Sequence, residues 1–435
     1  MAFANLKNKN VVVVGLGLTG LSCVRFLLAQ GAKVSAMDTR HSLAIQLDIP
    51  IQLGALDEQR LLASDLVVIS PGVSLSEPAI KAALAGGVEV MGDIELFAKF
   101  NRVPVLAVTG SNGKSTVASL LALMFEVAQT KALLGGNIGI AALQLLDKEA
   151  EFIILELSSF QLETLSSLRP LVACMLNLSD DHLDRHGNLA NYHQAKLKIY
   201  QGARHIVCNR DDSSTWPAQA KVDIMFGLSG DPCGFSWDQV NQSIMFNNQV
   251  FLTSDECLLM GRHNMLNIQA AAAMAILAGL PLQAIKQGAT TFGGLAHRCQ
   301  TVSLYKKIRW INDSKATNVG ATVAAISGLE QSRSGKLLLI AGGDGKNADF
   351  SPLQLLCTES VDVLITLGKD GARLAKLKAG SHQVSSLQQA VQLAAKLATP
   401  HDIVLLSPAC ASLDMFTNYQ QRGEHFVAAI EELAL

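Results

Sequence analysis

Residues 109–116, Thr-Gly-Ser-Asn-Gly-Lys-Ser-Thr, place a lysine and a serine hydroxyl directly behind two glycines. Glycines let backbone N–H groups turn toward an anion, and a helix N-terminus behind them adds partial positive charge. A lysine there reaches the outer phosphates of a nucleotide, and a hydroxyl is left for Mg²⁺. Gly110, Ser111, Asn112, Gly113, Lys114, Ser115 and Thr116 are therefore the candidate ATP-phosphate loop. Only Ser111 and Asn112 separate Gly110 from Gly113, fewer than in the general P-loop pattern. The shortened spacing narrows the family to which the loop can belong.

Other clusters carry compatible chemistry. Glu156 closes an apolar run and is suited to Mg²⁺, a hard cation that prefers oxygen ligands. The stretch 177–186 packs acids and two histidines behind another run; His182 is the better metal candidate, with His186 expected to be exposed. Lys196 falls on a helical stripe with Leu189, Tyr192 and Ile199. Such a lysine can snorkel to water; desolvated, its neutral amine is open to chemical modification. A second glycine turn, Gly15-Leu-Gly17-Leu-Thr-Gly20, follows Val11–Val14, with Asp38 ending the next run. Alone it fits a dinucleotide fingerprint or a turn that binds nothing. Near the C-terminal end, loops at 312–318, 342–346 and 407–414 carry Lys315 and Lys346 and suggest an anionic substrate.

Positioning these groups requires strands that end where the loops begin. Three blocks each alternate aliphatic strands with helical periods, and strands apolar throughout imply parallel sheets covered on both faces. The expected domains are 1–92, 93–294 and 295–435, with Gly92 and Gly293-Gly294 as hinge candidates. Expected strands include Val11–Val14, Lys33–Met37, Leu66–Ile69, Val88–Met91, Phe152–Leu157, Val172–Asn177, Ile206–Asn209, Arg309–Asn312, Leu337–Ala341, Val363–Leu367 and Ile403–Leu406. Expected helices include Leu21–Gln30, Thr116–Gln129, Leu189–Gly202 and Asn264–Ala278. Residues 226–259 read as short antiparallel strands with Asn-Asn and Asp-Pro turns. Of 435 residues, 17% are charged and the net charge is −2, which favours neither nucleic acid nor a membrane surface. Eight scattered cysteines without metal-ligand spacing read as reduced thiols of a cytoplasmic protein. No leader is visible in residues 1–10, and the apolar stretch 270–280 is too short to span a bilayer.

The motifs together resemble the Mur ligases of peptidoglycan synthesis over essentially the whole chain. The resemblance rests on Gly-Leu-Gly-Leu-Thr-Gly, Asp-Thr-Arg at 38–40, Gly-Asp-Ile-Glu-Leu-Phe at 92–97, the shortened P-loop, and Gly-Gly-Asn-Ile-Gly at 135–139. It extends through Leu-Glu-Leu-Ser-Ser-Phe-Gln-Leu-Glu at 155–163, Asp-His-Leu-Asp-Arg at 181–185, 310–320, Gly-Gly-Asp-Gly-Lys and Ser-Pro-Ala-Cys-Ala-Ser-Leu-Asp. It implies an α/β protein of three domains: a Rossmann-like N-terminal domain, a central P-loop ATPase and a Rossmann-like C-terminal domain. It recasts the first glycine turn as a site for a UDP-linked substrate, with Leu18, Thr19, Asp38, Thr39, Arg40, Gly72 and Asn137 as matching positions. Lys114, His182 and Lys196 match catalytic positions; Ser115, Glu156, His182 and a carbamylated Lys196 match metal positions. Asn264, Asn267, Arg298, Asp313 and Lys315 match the nucleotide side. Thr317, Lys346, Ser412 and Tyr419, with His297 nearby, match the amino-acid side; Tyr419 stands where a phenylalanine is expected. The implied reaction is ATP- and Mg²⁺-dependent addition of D-glutamate to UDP-N-acetylmuramoyl-L-alanine, by a monomer without a nucleic-acid or stable membrane partner. Rival readings are a ligase for another amino acid or a folate, an oxidoreductase, and a P-loop switch.

Overall fold

The computed structural model describes residues 5–43, 46–231, 233–259, 261–330 and 333–433. Pro232 of the expected Asp-Pro turn, and the first four residues of the leader reading, lie outside the described residues. The N-terminal sheet is five-stranded and parallel, in spatial order Ile51–Leu53, Lys33–Asp38, Asn10–Val14, Leu66–Ile69, Glu89–Gly92. The central sheet is six-stranded and parallel, in order Ile224–Phe226, His205–Asn209, Val172–Met175, Val105–Thr109, Phe152–Glu156, Ala132–Gly136. The third runs Gln300–Ser303, Arg309–Asn312, Ile403–Leu406, Leu337–Gly342, Val363–Leu367, His382–Gln383, with its first strand antiparallel.

Strand periodicity explains why these runs are apolar throughout. Leu106 and Val108 point into one core while Val105 and Ala107 point into another. Each buried valine or leucine among them contributes roughly 1.5–3 kcal/mol. Helices Lys114–Val127 and Arg262–Leu277 cover one face of the central sheet. On the other face, helix Asp93–Phe100 joins the N-terminal and central domains in one continuous apolar cluster that includes Val13, Leu27, Phe97, Ala107 and Leu155.

Gly92 is consequently no loose hinge: it is buried, and a methyl group there would strike Thr164. Gly293, by contrast, is exposed with open space beside it.

Three helices begin earlier than their apolar periods imply, one of them the helix expected from Asn264, which starts at Arg262. Leu18–Ala29 and Lys114–Val127 start within the glycine turns, capped by Gly17 and Gly113. The helix beginning at Leu189 is shorter than expected: it ends at Leu197 and tightens into a 3₁₀ turn over Lys198–Tyr200. The antiparallel unit is three-stranded, Phe235–Asp238, Ser243–Phe246 and Gln249–Thr253. Its Asn247-Asn248 turn has φ of 50° and 61°, the left-handed pair that a two-residue hairpin demands. Among the described residues no helix is long and apolar enough to cross a membrane.

Candidate active site

The loop after Val105–Thr109 is shaped by its glycines. Gly113 has φ of 83°, and a methyl group there would collide with Asn267; only glycine fits without strain. Asn177, just beyond the end of the neighbouring strand, clasps the loop, accepting from Asn112 N at 2.8 Å and donating to Asn112 O at 3.1 Å. Ser111 Oγ lies 3.1 Å from the Tyr192 hydroxyl and donates to Ser179 O. Lys114 Nζ donates to the carbonyls of Gly110 (2.7 Å) and Ser111 (2.8 Å). Burial lowers its pKa. Ser115 and Thr116 are buried at the start of the helix, and Ser115 Oγ accepts from Arg298 Nη2 at 2.8 Å.

Glu156 ends its strand beside this loop, as its place in sequence implies. Its Oε1 accepts from Asn137 Nδ2 at 2.9 Å; its Oε2 is buried without a hydrogen-bond partner among the described residues. Lys196 is 1% exposed, and its Nζ donates to Gly110 O at 2.9 Å and lies 4.7 Å from the centre of the Tyr192 ring. Burial first, and Lys114 second, push its pKa well below the usual lysine range.

His182 sits at φ 54°, its ring against Phe160, with a pKa lowered to about 4 by burial. It is therefore a neutral imidazole at pH 7, the state that can bind a metal. No group of three or more His, Cys, Asp or Glu able to hold a metal occurs among the described residues. That suits Mg²⁺, which is held by one or two protein oxygens, substrate phosphates and water rather than by an all-protein cage. The orphaned Glu156 oxygen and the Ser115 hydroxyl supply such oxygens.

The first glycine turn is built differently. Gly15 has φ of 90°, and a side chain at Gly20 would overlap Gly15 O, so the helix packs directly onto the strand end. Asp38 accepts from Leu16 N at 2.7 Å and from Arg40 N, Nε and Nη2 at 3.0, 2.8 and 2.6 Å. The Arg40 contacts draw its pKa to about 2. Leu18 projects into solvent, 88% exposed, with Thr19 half-buried and Thr39 and Gly72 exposed beside the same strand ends.

A pocket of about 310 Å³ separates the central and C-terminal domains; Gly113, Thr116, Asn264, Asn267, Arg298 and Lys315 are among its walls. Asn267 Nδ2 donates to Asn264 Oδ1 at 3.1 Å. Asp313 accepts from Cys299 N and Ser407 Oγ, and burial raises its pKa to about 6. Lys315 lies 3.8 Å from the centre of the Tyr419 ring; burial, then Arg298, lowers its pKa to about 8. His297 packs edge-on to Tyr419 at 6.1 Å and lies 3.1 Å from Asn312 Nδ2. Thr317 is half-buried and Ser412 buried, on two of the three polar loops that share this sheet edge. Lys346 crosses to the central domain, donating to Asp181 Oδ1 at 3.2 Å.

Two expectations on the 177–199 stretch are corrected. His186 is not exposed: at 8% exposure it sits between Ser159 and Glu163, because the short helix Leu183–His186 turns it inward. Leu189 leaves the inward stripe, 40% exposed at the first turn, whereas Tyr192, Lys196 and Ile199 stay on it.

Asn318, which the sequence places in the 312–318 loop without an individual role, reaches Asn112 Oδ1 and Asp181 Oδ2 through Nδ2 at 3.1 and 3.3 Å. Arg422, buried behind the loops at 312–318, 342–346 and 407–414, donates to Ser314, Gly342 and Cys410 carbonyls. The Asn318 contacts to Asn112 and Asp181 and the Arg422 contacts to Ser314 and Gly342 span 80 or more residues and leave no local signal; locally Asn318 only accepts from Ala321 N at 2.9 Å.

Three α/β domains, a shortened phosphate loop with its carboxylate and buried lysine, and a C-terminal domain closing on it define a Mur-type ligase. Profiles of that family match in register: Mur ligase MurD-like, N-terminal domain over 9–92, Mur ligase middle domain over 108–275, and Mur ligase, glutamate ligase domain over 297–410. The chain belongs to the Mur ligase family. UDP-N-acetylmuramoylalanine--D-glutamate ligase of Pasteurella multocida is 46% identical over 97% of both chains. The enzyme of the same name from Salmonella typhimurium is 45% identical over 99% of this chain and 100% of its own. Among solved structures, UDP-N-acetylmuramate-alanine ligase from Thermotoga maritima superposes with a TM-score of 0.64 at 18% identity, covering 98% of this chain and 100% of that one. A pseudomurein peptide ligase from Methanothermus fervidus does so at 0.59, also at 18%, with 98% and 100% coverage. These two likenesses concern the fold.

Proposed function

We propose that the chain adds D-glutamate to UDP-N-acetylmuramoyl-L-alanine, consuming ATP and releasing ADP and phosphate. The observation that carries the reading is the convergence of Lys114, Glu156 and Lys196 with Arg298, Lys315 and Lys346 of the C-terminal domain around one phosphate loop. The near-full-length likeness to the D-glutamate ligases supports the choice of acceptor. The substrate carboxylate attacks the γ-phosphorus to form an acyl phosphate and release ADP. The acceptor amine then attacks that carbonyl, phosphate leaves, and the amine proton passes to solvent or base.

Both steps gather anions, so the cationic groups and loop N–H donors offset charge as it builds. Bound Mg²⁺ would neutralise phosphate charge, held by Ser115, Glu156 and His182. Lys196, with its depressed pKa, is suited to carbamylation, which would turn a buried cation into a further carboxylate-like ligand. The UDP group is assigned to Leu18, Thr19, Asp38, Thr39, Arg40 and Gly72, with Asn137 nearer the reacting end. ATP is assigned to residues 110–116 with Asn264, Asn267, Arg298, Asp313 and Lys315; D-glutamate is assigned to His297, Thr317, Lys346, Ser412 and Tyr419. Domains of 1–92, 93–294 and 295–435, a cytoplasmic location and a monomeric state complete the reading.

The test is phosphate release measured with each component omitted. Release that needs ATP, UDP-N-acetylmuramoyl-L-alanine and D-glutamate together supports it. Release without the amino acid, or equal use of another amino acid or a folate, overturns it.

A further inference from the structure

Within six residues, the segment 181–186 touches all three domains. Asp181 receives Lys346 and Asn318 from the C-terminal domain, and His182 faces the phosphate site. Arg185 turns the other way. Its guanidinium donates through Nη1 to Gly72 O at 3.3 Å and through Nη2 to Val73 O at 2.9 Å, both in the N-terminal domain. Nη2 also donates to Glu163 Oε2 at 2.8 Å, and the fork lies 5.0 Å from the centre of the Phe160 ring.

The far side of this contact is braced. Glu163 Oε1 lies 3.3 Å from His186 Nδ1, and His186 Nε2 lies 3.0 Å from Ser159 Oγ. Serine, histidine and glutamate stand in the order of a hydrolytic triad. Ser159 is 2% exposed, however, so no substrate reaches it and the row serves as a support. The helix carrying Ser159 and Glu163 is itself fixed by a capping box between Ser158 and Gln161. Gln161 in turn donates to Asp93 Oδ2 at 3.1 Å, at the start of the helix Asp93–Phe100 that packs the two domains together.

We propose that Arg185 is a positioning residue: it fixes the Gly72–Val73 loop, where the UDP-linked substrate is read to sit, against the His182 segment of the phosphate site. This rests on the ligase reading above. A planar fork that grips two carbonyls and a carboxylate at once holds both distance and orientation; a lysine at the same place offers one point charge. Losing the fork frees the donor loop to shift relative to the phosphate site, and small misplacements of reacting groups are costly.

The experiment uses the full chain with Arg185→Ala, Arg185→Lys and Glu163→Gln. Steady-state KM is measured for each of the three substrates, and UDP-N-acetylmuramoyl-L-alanine binding is measured by calorimetry without turnover. Arg185→Ala is expected to weaken binding and raise KM of the UDP-linked substrate about tenfold, with KM for ATP and D-glutamate within about twofold. Arg185→Lys and Glu163→Gln are expected to fall between, at about threefold. Unchanged binding in a folded Arg185→Ala, or in Glu163→Gln should the alanine variant not fold, overturns the proposal. So does an equal rise in all three KM values, which is what a loosened fold would give. Wild-type protein that neither binds the UDP-linked substrate nor releases phosphate would sink the ligase reading instead.

Discussion

The two glycine-framed turns begin alike and end differently. Each follows a buried parallel strand, each uses a left-handed glycine, Gly15 or Gly113, and each opens a helix. In the first, a carboxylate of the protein already occupies the loop: Asp38 takes the Leu16 N–H and anchors Arg40. In the second, two lysines, Lys114 and Lys196, converge on the Gly110 carbonyl, and Arg298 arrives from another domain. Glycines make room for a ligand in both; the charge placed around them decides which ligand. At the first turn the Asp38–Arg40 pair leaves little net charge, whereas a turn ringed by cations suits a triphosphate.

The largest test of that contrast is Lys114→Ala. Loss of a cation aimed at transferring phosphate is expected to cut kcat by about 10³ while UDP-substrate binding stays intact. An equal loss of UDP-substrate affinity would erase the distinction between the turns.

Lys196→Met comes next. Phosphate release is expected to fall about 10²-fold and not to recover with excess bicarbonate; full activity would exclude the carbamate. Its stability effect has the opposite sign. Because burial lowers the folded pKa of Lys196, the folded chain binds fewer protons than the unfolded one between that lowered value and the unfolded pKa of about 10.4, and burial costs stability at neutral pH. That cost shrinks as pH rises from the folded value toward the unfolded one. The methionine variant should therefore unfold at a higher temperature than wild type in bicarbonate-free neutral buffer, read by thermal melting.

Asp38→Asn follows, expected to raise KM for the UDP-linked substrate about tenfold without affecting ATP. Because Arg40 and loop N–H groups lower the folded pKa to about 2, Asp38 stabilises the fold above its unfolded pKa of about 3.9. That stabilisation is lost as pH falls toward 2, and an acid titration of the variant should lack it.

Tyr419→Phe sets the floor. Among the described residues the tyrosine hydroxyl has no hydrogen-bond partner, and the ring face is what meets Lys315. Activity is expected within about twofold, because the aromatic face alone serves the cation; a loss beyond tenfold in kcat/KM for D-glutamate would give the hydroxyl a role.

Much of the architecture was readable because buried parallel strands announce themselves: Arg309–Asn312, Val363–Leu367 and Ile403–Leu406 lie where the apolar runs do. Edge strands were not. Ile51–Leu53 and Ala132–Gly136 are short, partly exposed or rich in glycine, so they carry little periodicity, and Gln300–Ser303 is polar at three of its four positions. The burial of His186 was also invisible, since it depends on a four-residue helix that no run of residues signals.

What the sequence determined by itself was local: the glycine turns, the strand that delivers Glu156, and the helical spacing that points Lys196 inward all follow from neighbours a few residues apart. What only the tertiary structure decided was which charges meet. Arg298 on Ser115, Lys346 on Asp181 and Arg185 on Gly72 join residues separated by 183, 165 and 113 positions. Such pairings arise from the packing of whole domains, and no periodicity in the chain encodes them.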